Sequence, residues 1–153
     1  MSMHSYRWSL TLKLASGAAA VAAMTLSALI VHAQPATTAS HSIAKEVMRK
    51  DLEGVPGKEV VMSTVEYPPG VASPPHRHNA QVFVYVLEGR VNMQVKGGKR
   101  MELGPGETFY ENPSDIHSVS GNASKTEPAK ILAILIKDKG APGTTPVPPD
   151  QAQ

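Results

Sequence analysis

Apolar and polar residues alternate along most of this chain with the period of a strand, and almost no stretch carries the period of a helix. Residues 59–67 (EVVMSTVEY) are rich in β-branched types and run into the Pro68-Pro69-Gly70 turn, which predicts a strand. Residues 81–87 form the strongest apolar run and predict a strand buried on both faces. Residues 90–96 (RVNMQVK) alternate and are answered by 99–103 across a Gly97-Gly98 hairpin turn. Short strands are predicted at 107–110 and 116–120, on either side of the turn 112–115 (NPSD), and a last one at 130–138 (KILAILIKD). Residues 43–52 fit a short helix or an edge strand, because the spacing of Ile43, Val47 and Met48 is too short to decide. Many short strands punctuated by Gly and Pro give an all-β sandwich or barrel. Small barrels enclose a space that holds one ligand. No repeat of solenoid or propeller length is present.

The pattern breaks at both ends. Residues 1–33 carry Arg7 and Lys13 without an acid, then an apolar, small-residue run, then Val31-His32-Ala33, which resembles a cleavage site. That is the pattern of a signal peptide, with cleavage expected after Ala33. The alternative is an uncleaved anchor, since the run approaches spanning length. Cleavage predicts a periplasmic or secreted domain with no membrane attachment. Residues 34–42 then form a mobile N-terminal tail, 43–139 the barrel, and 140–153 (GAPGTTPVPPDQAQ) a Pro/Gly-rich tail without regular structure.

Composition narrows the function classes. The 153 residues suffice for one domain. The formal charge of +2 is accounted for by Arg7 and Lys13, so the rest of the chain is balanced and leaves no basic cluster for nucleic acid. There is no cysteine, which excludes disulfides and zinc–thiolate sites. No Ser/His/Asp or Cys/His nucleophile arrangement and no Gly-rich phosphate loop is present.

The chemistry concentrates between Gly70 and Gly89. His76 and His78 stand one residue apart, and Pro74-Pro75 keep the backbone before them extended. Residues i and i+2 of an extended chain share a face, so this pair aims two imidazoles into one space, as a metal ion requires.

These residues carry a resemblance to the small single-domain bacterial cupins of the type-2 conserved-barrel kind. In the first cupin motif, G-x5-H-x-H-x3,4-E-x6-G, Gly70, His76, His78 and Gly89 stand at the required spacings, while the glutamate position falls on Val82. In the second, G-x5-P-x-G-x2-H-x3-N, Gly106 and His117 fit. There Asn112 stands for the proline, Ser114 for the glycine and Gly121 for the asparagine, with Asn122 beside it. The resemblance implies a jelly-roll β-barrel and a central divalent transition metal (Fe, Mn, Ni, Cu or Zn) held by His76, His78 and His117. It resembles the three-histidine cupins, which include iron-dependent dioxygenases. His41, in the tail, is expected to be solvated.

Val82 has the parity of the two histidines and should form an apolar wall. Gln81 is an additional candidate ligand if a β-bulge after His78 turns its amide inward. Glu107, Glu111 and Asp115 are read as solvated turn carboxylates rather than ligands. Tyr67, Phe109 and Tyr110 fit the core better than a cavity mouth, and Met48, Met62, Met93 and Met101 fit core filling better than copper binding. Arg77 should face away from the site.

The expected function is an exported cupin whose three-histidine site binds a divalent metal and a small oxygen-bearing ligand, as a dioxygenase-like or other metal-dependent enzyme. The alternative is a non-catalytic module that captures a small molecule or metal ion, favoured by the missing glutamate and the lack of an evident general base. A homodimer through edge strands is compatible with both.

Overall fold

The computed structural model describes residues 41–152. The expected signal peptide and nearly all of the expected N-terminal tail lie outside the described residues. Among the described residues ten strands build two five-stranded antiparallel sheets. The strands are β1 (Ile43–Asp51), β2 (Lys58–Tyr67), β3 (His76–Arg77), β4 (Ala80–Glu88), β5 (Val91–Val95), β6 (Met101–Leu103), β7 (Thr108–Glu111), β8 (Ile116–Asn122), β9 (Ala129–Asp138) and β10 (Thr145–Pro146). One sheet has the order β1-β2-β9-β4-β7 and the other β10-β3-β8-β5-β6. A single helical turn, α1 (Pro149–Ala152), follows. Among the described residues no helix is long and apolar enough to cross a membrane. This is the all-β jelly roll that the strand pattern and the motifs imply.

The sheets close on a core of inward residues: Val82, Val84 and Val86 of β4, Val91 and Met93 of β5, and Ile131 of β9. Residues 43–52 resolve as an edge strand, β1, which among the described residues pairs only with β2 and is exposed along its whole length.

Three expectations are corrected. The apolar run of β4 is not buried on both faces: Val82, Val84 and Val86 point in, while Phe83, Tyr85 and Leu87 lie exposed on the outer face. Of the four methionines, Met93 is fully buried, but Met48 and Met101 are exposed on edge strands and fill no core. The C-terminal tail is not structureless. Its residues pair as β10 with β3, Thr145 opposite Arg77 and Pro146 opposite His76, and Val147 is buried.

What holds that segment is a buried polar knot at one end of the barrel. Lys137 faces inward from β9 and is hydrogen-bonded to Glu59 of β2, and its Nζ also donates to the Ala141 carbonyl at 2.6 Å. Glu59 accepts from Arg49 Nη1 at 2.8 Å and from the Gly140 amide at 3.1 Å. With Lys137 as the largest influence, these donors hold the Glu59 carboxyl down at about 2. The knot thus starts the chain back across the barrel toward β3.

Candidate metal centre

His76 of β3 lies directly opposite His117 of β8 in the strand register, which puts both rings on the same inner face. Their centroids are 5.1 Å apart. His78 follows two residues later, in the link to β4, and its ring stands edge-on to His76 at 4.8 Å. One nitrogen from each of the three rings lies within 4.8 Å of the others. The structure therefore brings together His76, His78 and His117.

The hydrogen bonds fix which nitrogens face the centre. Nδ1 of His76 donates to the Pro74 carbonyl at 2.8 Å, and Nδ1 of His78 donates to the Gly143 carbonyl. A carbonyl can only accept, so in the neutral rings each proton sits on Nδ1 and each Nε2 carries a lone pair. Those two Nε2 atoms face each other at 3.1 Å. Two lone pairs at that distance repel unless a cation or proton stands beside them. A shared proton would make one ring cationic, yet burial pushes the His76 imidazole below its ordinary range, although the Pro74 carbonyl pulls the other way. A divalent ion bound at roughly 2.1 Å by adjacent nitrogens needs them about 3 Å apart, so the pair fits one. Carbonyls on the outer nitrogens are the usual support for such ligands. The Gly143 carbonyl arrives with the C-terminal segment, so that segment is part of the site.

Glu111 is the residue that sequence reasoning missed. It is 1% exposed, at the end of β7, with its carboxylate beside His78 and His117. Oε1 lies 3.1 Å from His117 Nδ1, and Oε2 lies 4.0 Å from His78 Nε2. The expectation of a solvated turn residue is corrected by register: Glu111 pairs across to Val82, an inward position of β4, so it too points inward. The other two carboxylates do serve turns. Glu107 Oε2 accepts from the Gly104 amide at 2.6 Å, and Asp115 Oδ2 accepts from the Asn112 amide at 2.9 Å.

Gln81 is corrected in the opposite sense. The alternation of β4 is unbroken from Ala80, so Gln81 is exposed on the outer face, away from the triad. No bulge intervenes; the chain instead leaves β3 after Arg77 and enters β4 at Ala80. Arg77 faces away from the site, and its Nη2 donates to Gln151 Oε1 of α1 at 3.2 Å.

A cavity of about 380 Å³ contains the triad. Apolar side chains make most of its wall, among them Val65, Val82, Val84 and Ile131. Tyr67 is buried and lines the cavity, with its hydroxyl 2.7 Å from Ser120 Oγ. Phe109 stacks on His117 at 5.8 Å. Both aromatics therefore touch the site, whereas Tyr110 is exposed against Phe83 on the outer face. A volume near the lower end of the range for ligand pockets suits a small molecule.

The departures in the second motif also acquire reasons. Ser114, at the motif's glycine, has φ 71°, the conformation glycine adopts without strain. Gly121, at the asparagine, bridges to Ala72, and a Cβ there would meet the Ala72 Cβ at 2.5 Å. Asn122 does the polar work instead. Its Nδ2 donates to the Tyr67 and Glu127 carbonyls at 2.9 and 2.8 Å, and its Oδ1 accepts from the Ser124 amide.

With two packed antiparallel sheets and both histidine motifs at one centre, comparison with known proteins decides the family. The cupin domain family (Cupin_2) matches residues 63–135. Over those residues the chain carries a cupin domain. Germin-like protein subfamily 2 member 3 of Arabidopsis thaliana is 34% identical over 125 residues, covering 76% of this chain and 55% of that protein. The chain thus spans about half the length of this curated relative. Among solved cupin-fold structures, the DMSP lyase DddQ from Ruegeria pomeroyi DSS-3 superposes with a TM-score of 0.57 at 18% identity, over 75% of this chain and 56% of that one. A recombinant oxalate oxidase in complex with glycolate gives 0.53 at 24% identity, over 73% and 63%. At these identities the two structures establish the shared fold.

Proposed function

We propose that this cupin binds a divalent transition metal (Fe, Mn, Ni, Cu or Zn) through His76, His78 and His117 and uses it on a small oxygen-bearing ligand in the barrel cavity. The observation that carries this is the pair of Nε2 lone pairs facing each other at 3.1 Å, each set by a carbonyl on the outer nitrogen. Bound there, the ion would supply a Lewis acid or a redox centre. The residues around it hold the rings in one tautomer, exclude water with an apolar wall, and offer the Tyr67 hydroxyl as a hydrogen-bonding group. The catalytic reading, dioxygenase-like or otherwise metal-dependent, gains over the binding-module reading because Glu111 adds an inward carboxylate to a site that Val82 alone would leave without one.

The glycolate of the oxalate oxidase relative indicates the ligand class to try first, small hydroxy and keto acids, with and without O₂. Turnover that requires metal and is lost in His78→Ala and His117→Ala supports the enzyme. Saturable binding without any product supports the capture module, and activity undiminished in a metal-free preparation overturns the proposal.

Export to the periplasm or the medium, with removal of residues 1–33, belongs to the same proposal, and an unprocessed N-terminus in the mature protein would contradict it. So does a homodimer. The outer face of the first sheet exposes Phe83, Tyr85, Leu87 and Tyr110, beyond the scattered apolar residues of an ordinary surface. A monomer by sedimentation at working concentration would remove that part.

A further inference from the structure

We infer that Glu111 is the fourth protein ligand of this site, delivering from β7 the carboxylate that Val82 lacks. The inference rests on the metal-binding reading and adds a residue to it. Among the described residues, three buried side-chain polar atoms have no hydrogen-bond partner: Glu111 Oε2, His117 Nδ1 and His117 Nε2. All three belong to this one place, and a single ion there would take Glu111 Oε2 and one of the two His117 nitrogens. Buried polar atoms are nearly always satisfied, so a cluster of orphans marks the position of something that satisfies them.

The nature of that partner follows from the charges. Among the described residues Glu111 has no lysine or arginine within ion-pair distance; its neighbours of that kind are His78 and His117. A buried carboxylate without a cation is costly. His117 does not satisfy it either. Oε1 and Nδ1 are 3.1 Å apart, yet they lack hydrogen-bond geometry, and Nδ1 is left without a partner. A separation near 3 Å without a hydrogen bond is the spacing of two adjacent ligands of one ion.

The fold explains how Glu111 reaches it. Val82 and Glu111 are opposite residues on adjacent strands of the first sheet, and both face inward. The histidines come from the second sheet and its exit toward β4. A carboxylate moved from β4 to β7 therefore stays on the same wall, one strand spacing away, roughly 5 Å. The site becomes three neutral donors and one anion, held between the two sheets.

Cobalt(II) titration of metal-free protein tests this, because affinity and the visible ligand-field spectrum are read without any turnover. Four proteins are compared: wild type, Glu111→Gln, the exchange Val82→Glu/Glu111→Val, and His76→Ala/His78→Ala. Glu111→Gln should weaken cobalt at least about tenfold and change its spectrum. It should leave the melting temperature of the metal-free protein equal or higher, since an unpartnered buried carboxylate has gone. The exchange should restore affinity to within about tenfold of wild type, as a residue that merely oriented His117 from outside would not. Unchanged affinity and spectrum in Glu111→Gln overturn the inference and leave the three-histidine site standing. So does weakened binding with an unchanged spectrum, which makes Glu111 a positioning residue. If wild type and His76→Ala/His78→Ala bind cobalt equally, or neither binds, the metal-binding reading falls and this inference with it.

Discussion

Glu111 stands directly across the strand pair from Val82, and each is about 1% exposed. The side chain of one position and the charge of the other share a single inward site. Adding a second carboxylate there, by Val82→Glu with Glu111 retained, sets two like charges opposite each other in the barrel. Like charges opposite on adjacent strands destabilise, and burial aggravates the effect. The metal-free variant should lose about 1–3 kcal/mol relative to wild type. A divalent metal should recover much of that loss, because it binds the folded state alone. Thermal melts with and without metal check both, and a variant as stable as wild type without metal would place Glu111 elsewhere.

Ser114 is the one described non-glycine residue with positive φ, at 71°, and its amide donates to the His78 carbonyl at 3.0 Å. Ser114→Gly removes the left-handed penalty while adding freedom to the unfolded chain. The relief is the larger effect, so stability should rise by about 0.5–1 kcal/mol. Chemical denaturation measures it, and a clear loss of stability would contradict the conformation.

Much of this was legible in the sequence. Strands β2, β4, β5 and β9 follow from local β-branched, apolar or alternating runs bounded by turn residues, which need no knowledge of neighbours. His76 and His78 were legible for the same reason, as two residues apart on extended chain. His117 was reached through the second motif. Glu111 was not legible: beside Asn112-Pro113 it looks like a turn carboxylate, and only the pairing of β7 with β4 turns it inward. The outward face of β4 was hidden too, since Phe83, Tyr85 and Leu87 extend an unbroken apolar run whose alternation appears only once both faces are known. Residues 145–147 were hidden by their Pro/Gly-rich surroundings, although the β10 pairing, the Val147 amide on the Pro75 carbonyl and the Glu59–Lys137 knot hold them.

The C-terminal segment should therefore matter to the metal site without touching the ion. Ending the chain after Pro142 removes the Gly143 carbonyl from His78 Nδ1 and the β10 pairing beside His76. Loss of such an outer-nitrogen partner lowers metal affinity roughly 10–100-fold. Isothermal titration of truncated and full-length protein with one metal ion gives the ratio; equal affinities would detach the segment from the site.

Glu59 supplies a pH dependence of stability. Its carboxyl is held at about 2 in the folded protein, with the Lys137 ammonium first among the causes, against an ordinary value of 4.5. A depressed carboxyl contributes stability that is fully present above its unfolded value and is lost as pH falls through the folded one. Wild type should therefore lose stability between about pH 4.5 and 2 more steeply than Glu59→Gln, which starts lower at neutral pH. Parallel acid titrations of the two would contradict the knot.

The central claim is that the three histidines hold a metal ion, and elemental analysis of the purified protein beside His76→Ala/His78→Ala tests it most directly. Near-stoichiometric iron, manganese, nickel, copper or zinc in wild type, absent from the variant, is the predicted result. No metal in wild type, even after reconstitution with each ion, or equal metal in both proteins, would contradict it.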